Sequence, residues 1–230
     1  MNDGDSRVRL TLQAWLSPGF PVGSFAYSQG LECAFEAGEL PDGEALRDWL
    51  GALLEHGPMR NDAILLSLAW RAVRDGNPAL LREVNDLALA LANGQERRLE
   101  TSAQGRAFAR TLAMSWPASS FDAQIATLGA RPVAYPVAVA AAAATHGLPL
   151  VPTMEAFVFA TLANAIAAAT RLGVIGQTDA QRILAEFAGR VAALVEAALH
   201  ASLDDLGSAT VRADIFTFLH ETQYTRLFRT

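Results

Sequence analysis

The side chains in this sequence that could do chemistry are four histidines, one cysteine and a few neighbouring carboxylates, and their spacing decides what is open to them. His56, His146, His200 and His220 could ligate a metal, but a helical ligand pair needs two histidines one turn apart, and these are scattered. His220-Glu221 begins like a zinc-protease helix, yet Tyr224 stands where the second histidine would be. Cys33, with Glu32 and Glu36 beside it on a predicted helix, reads as an inert structural thiol, because neighbouring negative charge raises a thiol pKa. Ser24 and Ser28 have no adjacent histidine and no nucleophile elbow. Gly19 to Gly23 lacks the Gly-Lys-Ser/Thr ending of a phosphate loop. The carboxylates Asp204-Asp205, or Glu32 with Glu36, could do acid-base work, but helical surface acids are usually just solvated. All 18 basic residues are arginine, which closes Schiff-base and P-loop lysine mechanisms. The expectation is a chain with no catalytic residue, no metal set and no cofactor, whose work is binding.

Composition sets the frame in which such residues must be positioned. The 230 residues are 51% hydrophobic and 18% charged, and alanine is about a fifth of them. That balance excludes general disorder and predicts an all-α protein, a bundle of about eight to ten helices folded as one domain over residues 1–230. A net charge of -6 argues against nucleic acid as a partner. One cysteine and a polar start without the order of a signal peptide point to the cytoplasm. The apolar run between Glu155 and Arg171 falls short of the roughly 20 residues that span a bilayer, so no membrane partner is expected and the run reads as a buried helix.

Helical periodicity places the elements. An amphipathic segment from Val8 to Leu16 ends at a turn, 17–23, where two prolines and two glycines forbid a helix. A helix from Ser24 to Ala37 follows, closed by Gly38. Leu46, Trp49, Leu50, Leu53 and Leu54 form a one-sided stripe over Asp42 to His56. Further helices are predicted over Met59 to Arg74, from an Asn77 cap with Pro78 to about Ala92, over Gln95 to Met114 as an exposed or interface-facing helix, over Phe121 to Leu128 capped by Ser119 or Ser120, and over Val137 to His146. Thr153 is expected to cap a helix ending at Leu172. A capping box at Thr178 to Gln181 should open the next, through about Leu203. The alanines at 140–144 and at 163–169 let helix axes approach closely, as core packing in first place or as a homodimer seam.

Residues 214–230 are unusual for a chain end. Ile215, Phe216, Phe218, Leu219, Tyr224, Leu227 and Phe228 lie beside two arginines, the residue types that anchor one protein in another. Either this tail docks on its own domain or it is a handle for a partner.

Ser17-Pro18-Gly19-Phe20-Pro21-Val22-Gly23-Ser24-Phe25-Ala26-Tyr27-Ser28-Gln29-Gly30-Leu31-Glu32 resembles the N-terminal signature of the UreF family of urease accessory proteins. The tail, His220-Glu221-Thr222-Gln223-Tyr224-Thr225-Arg226-Leu227-Phe228-Arg229, is similar to that family's C-terminal signature. Arg171-Leu172-Gly173-Val174-Ile175-Gly176-Gln177 resembles its Arg-Leu-x-x-x-Gly-Gln joint, and Glu100 to Gly105 fits more loosely. The resemblance implies an all-α homodimer without catalytic activity. It would act in nickel insertion into the urease apoprotein, bridging the scaffold UreD, also called UreH, and the GTPase UreG, and coupling GTP state to nickel transfer. Carried onto this chain it implies partner-binding roles for Pro18, Pro21, Gly23, Phe25, Tyr27, Gln29, Gly30, Glu32, Arg171, Gln177, His220, Glu221, Tyr224, Arg226, Leu227, Phe228 and Arg229. The opposing expectation is a helical bundle that binds or transforms a small molecule in a pocket lined by polar residues of the Gln95 to Arg110 segment.

Overall fold

The computed structural model describes residues 3–230 and contains only helices and connecting turns among them. In chain order the helices are α1 (Asp3–Trp15), α2 (Leu31–Glu36), α3 (Gly43–His56), α4 (Pro58–Arg74), α5 (Pro78–Ala90), α6 (Gly94–Ser115), α7 (Ser119–Thr127), α8 (Tyr135–Thr145), α9 (Leu150–Leu172), α10 (Gln177–Leu199) and α11 (Val211–His220). Short 3₁₀ turns lie at Ser24–Ala26 and Leu203–Asp205. The all-α class is as the composition requires.

Helix α8 is the centre. Every residue from Pro136 to Ala144 is buried, and the helix packs on α4 and α6. Its alanines are therefore core packing, small side chains that bring three helix axes together. The closest approach is at Gly105 of α6, where a β-carbon would collide with the Val133 carbonyl oxygen and lie 2.9 Å from the Ala134 carbonyl carbon. Only glycine fits there. Above this contact Phe108 is fully buried, 6.0 Å edge-on to Trp15 and 5.2 Å from Phe20. Helix α6 is thus half a core helix, through Gly105, Phe108 and Leu112, and not simply the exposed element its many arginines suggest.

Several predicted boundaries move. The segment Ser24 to Ala37 is not one helix: Gln29 (φ 59°) and Gly30 (φ 81°) are left-handed, which breaks it between the 3₁₀ turn and α2. Thr153 does not cap α9, which starts three residues earlier. Pro152 is tolerated in the first turn, where its missing N–H has no partner to lose, and the Thr153 hydroxyl donates back to Pro149 O at 2.7 Å. Thr178 likewise lies inside α10, which opens after Gly176 with no side-chain cap and ends at Leu199, and the capping box is at Ser202 and Asp205 instead. Ala118, not Ser119 or Ser120, precedes α7. Helix α9 has 23 residues, so by length and composition it is long and apolar enough to cross a membrane, contrary to the shorter reading of its apolar run. It packs on α4 and α10, and Phe159, beside α10, stays partly exposed.

Candidate partner-binding site

The N-terminal motif and the tail, nearly the whole sequence apart, meet in one place. Gly30 makes the meeting possible: a β-carbon there would lie 2.9 Å from both Thr217 N and Thr217 Oγ1, so its absence lets α11 lie against the start of α2. Beyond α11 the tail folds back along the 3₁₀ turn. Arg229 N donates to Ala26 O at 2.8 Å and Ser28 N to Thr230 O at 2.8 Å, and the Ser28 hydroxyl also donates to Thr230 O. Phe228 and Thr230 are buried as a result.

Two buried carboxylates hold this joint. Glu32 accepts from Leu227 N at 2.5 Å and from Phe228 N at 3.0 Å, and its Oε2 lies 3.0 Å from His220 Nε2. The His220 ring is completely buried, and its Nδ1 faces Glu96 Oε2 at 2.7 Å, so the ring sits between an acid on each side. Glu96 also pairs with Arg226, whose Nε donates to Gln223 O at 2.7 Å. The second carboxylate, Glu100, accepts from Gln29 Nε2 at 3.1 Å, Gln104 Nε2 at 3.2 Å and Thr230 Oγ1 at 3.2 Å, and pairs with Arg97. Glu221 supplies the N-terminal cap that Asn93 does not give α6, accepting from Gln95 N at 2.6 Å.

Arg171 of α9 closes the other side. Its Nη1 donates to Phe25 O at 2.5 Å and its guanidinium lies 4.4 Å over the Phe228 ring, a cation–π contact that clamps the tail. Desolvation lowers its pKa from the ordinary arginine value. Tyr27 is buried against Glu100 and Arg229, and its phenol is raised by desolvation first and by Glu100 second. Asp62 of α4 lines a cavity of ≈ 40 Å³ with Asn61, Arg97 and Thr217 on one hand and Leu53, Leu65 and Leu91 on the other. Desolvation, with Glu100 adding and Arg97 opposing, raises its carboxyl to about 7. Cys33 is half-buried and its thiol is raised by desolvation, then by Glu36 and Glu32.

The predicted residues thus divide by exposure. Gly30, Glu32, Tyr27, His220 and Phe228 are buried and position the joint, while Gln29, Glu221, Arg171, Arg226 and Arg229 brace it. Pro18, Pro21, Phe25, Tyr224 and Leu227 face outward, Tyr224 completely, and Gly23 turns the chain at φ 75° with open space around it. Gln177, the exposed first residue of α10, is not joined to this cluster by any hydrogen bond among the described residues. The outer face of α11 continues the exposed part with Val211, Ile215, Phe218 and Leu219, each about half exposed or more. Their spacing of four, three and one puts them on one apolar stripe leading into Tyr224 and Leu227.

Sequence reasoning did not find Glu96, Ser28, Thr217 or Thr230, and met Glu100 only as the start of a loosely matching stretch. A signal was present: Glu96, Glu100 and Gln104 recur every fourth residue on a helix whose other acids are absent, a polar inward stripe. Between the Pro18–Gln29 loop, α6 and α9 lies a cavity of ≈ 290 Å³, lined by Phe25, Glu100, Gln104, Tyr135, Asn164 and Arg171 among others. No group of three histidine, cysteine or acidic side chains among the described residues is placed to hold a metal ion.

Comparison with known proteins places this geometry. The UreF family model matches residues 40–188, the stretch between the two terminal motifs. A urease accessory protein UreF of Xanthobacter autotrophicus is 54% identical over 229 residues, covering 99% of this chain and 94% of that protein. The UreF of Rhodopseudomonas palustris is 50% identical over 218 residues, covering 95% and 92%. That of Methylobacterium radiotolerans is 48% identical over 229 residues and covers both chains completely. The Xanthobacter and Methylobacterium alignments, over 99% and 100% of this chain, take in both terminal motifs.

Proposed function

We propose a function from one premise: the chain belongs to the UreF family of urease accessory proteins, and so has a role in urease maturation. In our reading it works without catalysis of its own, as the component that bridges the UreD/UreH scaffold and the GTPase UreG and couples GTP state to nickel insertion into the urease apoprotein. Nickel is cargo of that assembly and this chain holds no resident cofactor. The site residues of the two terminal motifs serve as its partner-binding region, and the protein acts as a cytoplasmic homodimer folded as one domain.

The observation that carries the bridging part is the apolar stripe of α11, Tyr224 and Leu227, held rigidly outward by a buried polar joint. A surface of exposed aromatic and aliphatic side chains over a preorganised base is what an interface hot spot needs. Co-expression with tagged scaffold and GTPase tests it: the three proteins should co-purify, and replacing Phe218 and Leu227 with aspartate should release this chain from the complex. Purified alone, it should hydrolyse no GTP. Retained complex with the aspartate variant would move the interface elsewhere, and hydrolysis surviving purification would overturn the non-catalytic reading.

A second reading, a small-molecule site, draws on the ≈ 290 Å³ cavity with Glu100 and Gln104 at its polar end. Mass spectrometry of an extract from the denatured, purified protein would support it by finding one stoichiometric compound.

A further inference from the structure

The outward face of α6 has a character of its own. Arg98, Arg106 and Arg110 are exposed along it, and among the described residues none of the three makes an ion pair, a hydrogen bond or a ring contact. Among the described residues, seven of the other fifteen arginines pair with an acid, namely Arg47, Arg97, Arg131, Arg182, Arg190, Arg212 and Arg226. Both acids of this helix, Glu96 and Glu100, are turned to the tail joint, so the helix itself offers three positive charges here and no free acid, in a chain of net charge -6. Exposed Leu99 and Met114 flank the arginines. A groove of ≈ 360 Å³ runs between Pro21 and the helix, walled by Ala103, Ala107, Arg106 and Arg110.

We infer that this face of α6 is a second docking surface, built to receive an acidic helix of a partner protein. The groove with its small alanines gives room for a helix backbone, Met114 gives apolar contact within it, and exposed Leu99 lies one turn before Ala103 on the same helix. Arg106 and Arg110 stand one turn apart, about 6 Å along the axis, the spacing at which carboxylates recur on one side of a partner helix. Arginine forks bind such carboxylates in pairs. The charge of the whole chain works against polyanionic nucleic acid, which favours a local acidic protein surface as occupant. The inference rests on the chain's acting within an assembly, and it names the chemistry of one contact there that is separate from the α11 stripe.

The test is capture of co-expressed scaffold and GTPase by three tagged forms of the full chain: the parent, a triple R98E/R106E/R110E variant and a triple Arg→Lys variant at the same positions. The charge reversal should reduce capture of one partner by about tenfold or more and leave the other, while the lysine variant should stay within about threefold of the parent and lose binding as salt rises from 50 to 300 mM. The exposed positions should leave the melting temperature unchanged. Equal capture by parent and reversal variant would overturn the α6 surface and leave the bridging reading intact. Capture of neither partner by the parent would overturn both. Loss of self-association, or loss of co-sedimentation with vesicles of phosphatidylserine and phosphatidylcholine, as the sole effect of the reversal would make the occupant a second copy or a lipid surface and refute an acidic partner helix.

Discussion

At the scale of single residues, Glu32 is the junction on which the joint depends. Its two oxygens serve a buried imidazole and two backbone N–H groups of the tail, and the carboxylate itself is buried. Glu32→Ala should lower unfolding free energy by about 3 kcal/mol, because each stranded buried donor carries its own desolvation penalty. Glu32→Gln, which keeps the shape and one acceptor, should lose clearly less, and urea midpoints of the two variants check the order. Asp62 gives a pH prediction. Its carboxyl is raised from 3.8 to about 7, so the folded chain holds a proton that the unfolded chain has released. The stability linked to that proton is complete below about pH 3.8 and is lost as pH rises through about 7. Asp62→Asn buries no charge, and should exceed the parent by about 2 kcal/mol at pH 8, where partial solvent access softens the cost of the buried carboxylate. The gap should close towards pH 4, and a gap independent of pH would contradict the burial argument. Sequence reading could single out Glu32 and His220 but not join them, because 188 positions separate them and only the fold sets their distance.

At the scale of elements, the tail is divided into a docked part and an exposed part, where the sequence presented docking and a partner handle as alternatives. Its last residues dock on the body, while Tyr224 and Leu227 stay in solvent. Substitutions should therefore separate. Phe228→Ala removes a ring buried under Arg171 and should destabilise the isolated protein by about 3 kcal/mol. Leu227→Ala or Tyr224→Ala should leave the melting curve in place and weaken partner binding by about 2 kcal/mol. Melting curves and titration of the same variants test this, and a Leu227→Ala protein that melts early would mean the exposed chain is structural. Elements with long apolar stripes, such as Asp42 to His56, were legible because 3.6-residue periodicity survives any context. Caps were less so. Thr153 and Thr178 carry the right side chains, yet backbone continuity upstream let the helices begin before them. The break at Gln29 and Gly30 was hidden because its cause is contact with Thr217, far along the chain.

At the scale of the molecule, one hydrophobic cluster runs from Leu12 to Phe216, and the alanine-rich composition foretold its close helix packing. What composition left open was which alanines face inward. Those of α8 are wholly internal and offer nothing to a second copy. Helices α9 and α10 keep a shallow, mostly apolar groove at the surface, lined by Ala156, Phe159, Ala188, Val191 and Ala192 with Glu155 at its edge. Small side chains there would let a second copy's helices approach as closely as the internal ones do, and Phe159 is large enough to anchor the contact. The protein should thus sediment as a dimer at tens of micromolar, a two-fold seam in which the same face meets itself. Ala188 is exposed in the single chain, so Ala188→Glu disturbs nothing within it but places two negative charges together across such a seam. Sedimentation velocity should show this variant as a monomer whose helical content by circular dichroism equals the parent's. An Ala188→Glu protein that remains dimeric would place the seam on another face, and a monomeric parent would remove the dimer altogether.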